Sequence, residues 1–223
     1  MHRSGTSCLA GTLQQAGLCL GDVSTSNKFN QKGNREHNTI MALNESLLKH
    51  NDSSWDKPPT KEIQWNNSHL QQANEIKKQI AENCPSNSWG FKDPRALLTL
   101  PFWLDIFPNA ILIGTIRNPL DVAQSLARRS DQFTLDDGLQ LWLDYNSKLL
   151  NQLQQQPFPL ISFDYSSAIY TQKTNEIVSN LFPNSNISDI DFFDSSLRTP
   201  PNNSHEIPLA VEDCYTELKT FLS

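Results

Sequence analysis

The feature that most constrains this chain is the run over residues 110–116. It is continuously apolar, rich in β-branched side chains, and gives way at once to Arg117-Asn118-Pro119 and a helical pattern over 120–129. Such a run fits a strand covered on both faces, and strands of that kind belong to parallel sheets flanked by helices. Residues 88–91 and 158–163 read as two further short strands. Helical patterns surround them. Residues 6–16 carry Leu9, Leu13 and Ala16 on one face, with Gly17 as a stop, and residues 36–48 carry the stripe Ile40, Leu43, Leu47 and Leu48. Ser68-His69-Leu70-Gln71 reads as a capping box opening a helix to about Glu82. Further helices are expected over 95–107, 135–153, 173–181 and 209–222. Strands alternating with helices predict an α/β domain of three layers, with a mostly parallel central sheet between helices. One domain over residues 1–223 suits the length.

Composition narrows the function classes. A net charge of −6 argues against a general nucleic-acid binder, yet leaves room for one anionic ligand held by a few local arginines. The cysteines Cys8, Cys19, Cys84 and Cys214 form no C-x-x-C pair, so no metal is expected, and Cys8 reads as a small buried residue. No stretch approaches the ~18 apolar residues of a membrane span. With no leader visible, a cytoplasmic protein is expected.

Two motifs carry chemistry. Arg3-Ser4-Gly5-Thr6-Ser7 sets an arginine, a glycine and three hydroxyls ahead of an apolar-periodic helix. Backbone N–H groups and the positive dipole end converge there, which suits a phosphate-like anion. Gly5 permits a close backbone approach to that anion. The second motif puts Arg117 at the C-terminal end of the main strand and Ser125 on the next helix, where they can share a phosphate. Arg129 is placed to join them; the competing reading pairs Arg117 with Asp121. Two such cradles suggest a ligand with two separated phosphate-like groups. A third run, Phe91-Lys92-Asp93-Pro94-Arg95, follows a candidate strand. Lys92 is a candidate anion ligand, and Asp93 either orients Lys92 or Arg95 or faces a substrate. The general base is open between Glu36, His37 and Asp93.

With these three runs in this order, the chain resembles the sulfotransferases that use 3′-phosphoadenosine 5′-phosphosulfate (PAPS). Those enzymes have a P-loop-like fold. The resemblance implies that Arg3, Ser4, Gly5, Thr6 and Ser7 hold the 5′-phosphosulfate, and that Arg117, Ser125 and Arg129 hold the 3′-phosphate. The Lys92-Asp93-Pro94 stretch is similar to the tyrosylprotein, carbohydrate and bacterial members. It implies Arg3, Lys92 and Glu36 as catalytic residues and Arg198 as a late contact near the 3′ end. Phe163 stands where relatives carry a tyrosine. The acceptor implied is a hydroxyl or amine, on a small molecule or a glycan, and no metal is required. In relatives a short apolar strand precedes the anion loop. Only Met1 and His2 precede it here, so that strand is expected upstream of residue 1. Two rivals stand beside this reading. A P-loop kinase or NTPase would need Gly-Lys-Ser/Thr, which the chain lacks. A member that binds nucleotide without turnover would need only the cradles.

Overall fold

A computed structural model describes residues 1–26, 32–84, 88–129, 133–186, 188, 190–194 and 205–223. Its elements run α1 (Thr6–Gln15), α2 (Asn38–His50), α3 (Asn67–Asn83), a 3-10 turn (Pro94–Leu97), α4 (Leu100–Ile106), β1 (Gly114–Ile116), α5 (Pro119–Ala127), α6 (Leu135–Gln155), β2 (Leu160–Ser162), α7 (Ser167–Leu181) and α8 (Leu209–Lys219). The chain divides into two compact units. Unit 1 holds Met1–Thr6, Ile111–Leu181 and Phe193–Ser223; unit 2 holds Ser7–Ala110 and Phe182–Phe192.

Unit 1 is built on a parallel pair. β1 and β2 align Gly114 with Leu160, Thr115 with Ile161 and Ile116 with Ser162, and Leu160 also bridges Leu222 in parallel. The expected strand over 110–116 shortens to its last three residues. The α/β mixture holds, but among the described residues the regular sheet has two strands rather than a broad parallel layer. Apolar content alone does not make a strand; a ladder needs a partner for its backbone groups. Among the described residues, 110–113 have no ladder partner, and Ile111 stands 71% exposed.

The helices of this unit start where their caps dictate. The Asn118 side chain accepts from the N–H groups of Leu120 and Asp121, and Pro119 takes the first turn of α5, where its missing N–H is harmless. Thr134 and Asp137 cap α6 reciprocally. The α6 stripe Leu139, Trp142, Tyr145, Leu149 and Leu153 is buried at helical spacing. Gly138 lets α6 lie close on α5: a Cβ there would stand 2.7 Å from the Ala123 Cα.

Unit 2 is mostly helical, around Ile40, Leu43, Leu47, Ile76, Phe102 and Trp103. The expected strand over 88–91 reduces to one parallel bridge between Trp89 and Cys19. The helix expected over 95–107 breaks in two, because Pro101 lacks the N–H that would continue the 3-10 turn into α4. The capping box of α3 falls two residues early, on Asn66 and His69 rather than Ser68 and Gln71. Cys8 is half-buried rather than buried. Cys19 and Cys84 form a disulfide, a pairing that sequence spacing did not indicate.

Two outcomes follow for stability. Gly138→Ala forces a methyl against Ala123 and should lower urea-unfolding stability by about 1–3 kcal/mol; an unchanged midpoint would mean α5 and α6 are not in this contact. Reduction of the Cys19–Cys84 bond, which spans 65 residues, should cost on the order of 4 kcal/mol through loop-closure entropy. The check is a thermal melt with and without dithiothreitol, in which identical curves would contradict it.

Candidate functional site

In unit 1 the anion loop is fastened to the sheet edge by its own carbonyls. Thr115 Oγ1 donates to the Ser4 carbonyl at 2.8 Å, and Arg117 Nη1 donates to the Arg3 carbonyl at 3.4 Å. The loop turns sharply. Arg3 has φ of 66° and Gly5 has φ of 83°. Arg3 is a non-glycine residue in the left-handed region, a conformation that costs about 1–2 kcal/mol and persists only where surroundings impose it. Gly5 is required for a further reason: a Cβ would collide with the Phe163 ring. The glycine expected to admit a ligand therefore also admits an aromatic lid on the loop. Phe163 packs its other contacts on Tyr170 and lies under the Arg117 guanidinium.

The side chains of the two anion motifs meet. Arg3 Nε donates to Ser125 Oγ at 2.8 Å. The sequence suggested two separated cradles; the long Arg3 side chain instead reaches directly into the second. Arg117 is buried and pairs with Asp121 at 3.5 Å and Asp164 at 3.9 Å, so the competing reading of Arg117 is realised alongside its nearness to Arg3. Arg129 and Arg128 add positive charge. Burial, then the charges of Arg129, Arg117 and Arg128, pull the Arg3 pKa down to about 10. Burial likewise lowers that of Arg129. A buried guanidinium with further cations beside it is a place where an anion would be favoured. The Ser4 hydroxyl is buried and has no hydrogen-bond partner among the described residues. Asp164 accepts from the Asn118 N–H at 2.6 Å and the Tyr215 hydroxyl at 3.1 Å. Burial raises the Asp164 pKa, and burial with Asp164 beside it raises that of Tyr215.

Unit 2 holds a different kind of cluster. Glu36 accepts from Lys92 at 2.6 Å through one oxygen and from Arg95 at 3.3 Å through the other. Arg95 Nε lies 3.0 Å from Asp93, whose carboxylate also accepts from the Arg95 N–H. Asn44 donates to Asp93 at 2.9 Å and accepts from Thr99 at 2.6 Å and Trp103 at 2.7 Å. Burial pulls the Lys92 pKa below the usual ammonium range, with Glu36 opposing. Lys92, Asp93, Arg95 and Glu36 thus form one nearly closed charge network, joined at its buried end by Asn44. Ser7 belongs to this unit, and its hydroxyl donates to the Asn34 carbonyl at 3.0 Å rather than standing ready for an anion. His37 does not join the network; it precedes α2 without capping it, and its ring faces Gly21.

Of the site residues read from sequence, Arg3, Ser4, Gly5, Thr6, Arg117, Ser125 and Arg129 belong to unit 1, and Ser7, Glu36 and Lys92 to unit 2. Arg198 lies outside the described residues. Sequence reasoning missed Asn44, Asp164 and Tyr215. Asn44 left a trace: it is a lone amide inside the apolar stripe of α2, between Leu43 and Leu47. Among the described residues, no group of three or more His, Cys, Asp or Glu side chains is arranged to hold a metal.

Asn44→Ala would leave the Trp103 indole N–H without its partner and would remove one bond each from the Thr99 hydroxyl and Asp93 Oδ2, which keep only their bonds to Arg95. The expected loss is about 2–4 kcal/mol in urea unfolding. A loss below half of that would show the amide to be dispensable.

The sulfotransferase family model matches residues 1–166, which take in the anion loop, the Lys92 run and the Arg117–Ser125 element. No curated protein and no solved structure matches the chain. Among the described residues no helix is long and apolar enough to cross a membrane. With more than half of its length matched, the chain belongs to the sulfotransferase family.

Proposed function

We propose that the protein transfers a sulfuryl group from PAPS to the hydroxyl or amine of a small-molecule or glycan acceptor, on a P-loop-like scaffold. The observation that carries this reading is the unit 1 cluster: Arg3 bonded to Ser125, Arg117 and Arg129 beside it, and a buried Ser4 hydroxyl with no partner. That donor set fits a phosphate. Donor binding exchanges the Arg3–Ser125 bond for bonds from both residues to phosphate oxygens. Arg117, which also pairs with Asp121 and Asp164, adds a further guanidinium to that cluster.

In the reaction, the acceptor oxygen or nitrogen attacks sulfur in line. The bond from sulfur to the bridging phosphate oxygen breaks, and adenosine 3′,5′-bisphosphate leaves. Arg3 stabilises the charge that grows on the leaving oxygen. Arg3 remains protonated at neutral pH even with its lowered pKa, so it binds and stabilises rather than donating a proton. Glu36 takes the acceptor's proton. Both of its oxygens are engaged by cations, so one partner, Lys92 or Arg95, must yield before it does so. That engagement favours one second reading, a member that binds nucleotide without turnover. The Cys19–Cys84 disulfide favours an oxidising compartment over the cytoplasm expected from sequence.

Calorimetry decides between these outcomes. Adenosine 3′,5′-bisphosphate should bind without magnesium and more tightly than ATP. Arg117→Ala should weaken it by about 10- to 100-fold, the worth of a charge-assisted bond. Absence of affinity would overturn the donor reading. Transfer of labelled sulfate that vanishes in Glu36→Gln, with nucleotide binding kept, assigns the base; no transfer by the unaltered protein to any hydroxyl or amine acceptor would leave the binding-only member.

A further inference from the structure

The peptide group between Arg117 and Asn118 is held at both ends. Its carbonyl accepts from the Trp142 indole N–H at 3.0 Å, and its N–H donates to Asp164 Oδ2 at 2.6 Å. The same Asp164 oxygen accepts from the Tyr215 hydroxyl at 3.1 Å. Tyr215 in turn sets its ring edge-on against Trp142, with centroids 5.8 Å apart. An indole from α6 and a phenol from α8 thus touch each other and secure opposite ends of one peptide unit, the phenol through Asp164. All of these residues belong to unit 1. Burial and the neighbouring Asp164 keep the phenol protonated at neutral pH, so it donates.

That peptide is where β1 hands over to α5. Its orientation sets how the Arg117 side chain leaves the strand, and Asn118 caps the helix that carries Ser125. Asp164 is the pivot. Its Oδ1 lies 3.9 Å from Arg117 Nε, an ion pair too long for a hydrogen bond. Its Oδ2 takes the Asn118 N–H, the Tyr215 hydroxyl and, at 3.4 Å, the Ser162 hydroxyl. Without the phenol, the carboxyl group loses the tether that keeps it turned from the guanidinium. It can then rotate into a direct pair with Arg117 and compete with a phosphate for the same donors. We propose that Tyr215 is a positioning residue of the donor site, holding Asp164 on the Arg117–Asn118 peptide so that Asp164 does not take the place of phosphate on the Arg117 guanidinium. The role rests on the donor reading. It is supplied by α8, which lies beyond residues 1–166 matched to the family.

Tyr215→Phe tests it, because it keeps the ring on Trp142 and removes only the hydroxyl. The first readout needs no ligand. By NMR, the Asn118 amide proton should exchange with solvent about tenfold faster, while amides within α6 keep their rates. The second is calorimetric titration of the whole chain with adenosine 3′,5′-bisphosphate. Affinity should fall about fivefold, the worth of one hydrogen bond. In an Arg117→Ala background the same substitution should cost nothing further, which a general loss of packing would not reproduce. Adding Asp164→Asn to Tyr215→Phe should restore most of the affinity, since the amide keeps an acceptor for the Asn118 N–H and carries no charge to hold Arg117. Parent-like exchange at Asn118, parent-like affinity, or an equal loss with and without Arg117 would overturn the proposal. Failure of the unaltered protein to bind the nucleotide would instead strike the donor reading, and the Asn118 exchange rate would still decide whether Tyr215 holds the turn.

Discussion

Two carbonyl oxygens hold the anion loop in place, and the organisation of unit 1 follows from them. The Ser4 and Arg3 carbonyls accept from Thr115 and Arg117, so a loop at residue 3 is tied to a strand end more than a hundred positions away. The tie imposes a left-handed backbone on Arg3, and that turn sends its side chain toward Ser125 on α5. Phe163 closes over Gly5 from the end of β2. Three distant segments thereby share one short stretch of backbone, and each is positioned by a rigid element rather than by a free loop.

The two charged clusters obey opposite electrostatic logic. In unit 2, Glu36 and Asp93 face Lys92 and Arg95, and Asn44 donates one further bond to Asp93. Such a network meets its own desolvation cost and holds a fixed geometry. In unit 1, among the described residues, Arg3, Arg117, Arg128 and Arg129 lie near Asp121 and Asp164, and burial, with the neighbouring arginines adding to it, lowers the proton affinity of Arg3. On the proposed reading unit 1 is organised toward an external anion, while unit 2 holds a carboxylate in one orientation. Membership of the sulfotransferase family accords with that division.

Much of this was legible in the residues, and the misses have physical causes. Helices with strong apolar stripes and sharp caps, such as α1 and α6, were readable because the stripe and the stop signal are local. The 3-10 turn at Pro94–Leu97 and the displaced start of α3 were misread because each depends on one side chain, Pro101 or Asn66, whose effect is felt a few residues away. The strand over 110–116 was overextended because apolarity records burial and not pairing. The Arg117–Ser125 element was found by spacing, yet its union with Arg3 was not, because hydrogen bonding across 122 positions has no sequence period.

The sequence by itself determined which residues carry charge and hydroxyls, the order of the anion motifs, the helical stripes and the α/β alternation, since these rest on side-chain chemistry and local spacing. Only the tertiary structure decided that Arg3 bonds Ser125, that Glu36 is shared between two cations, and that Cys19 meets Cys84. The reason is that a partner is chosen by where the backbone brings two groups, and that geometry is a property of the folded chain rather than of any segment within it.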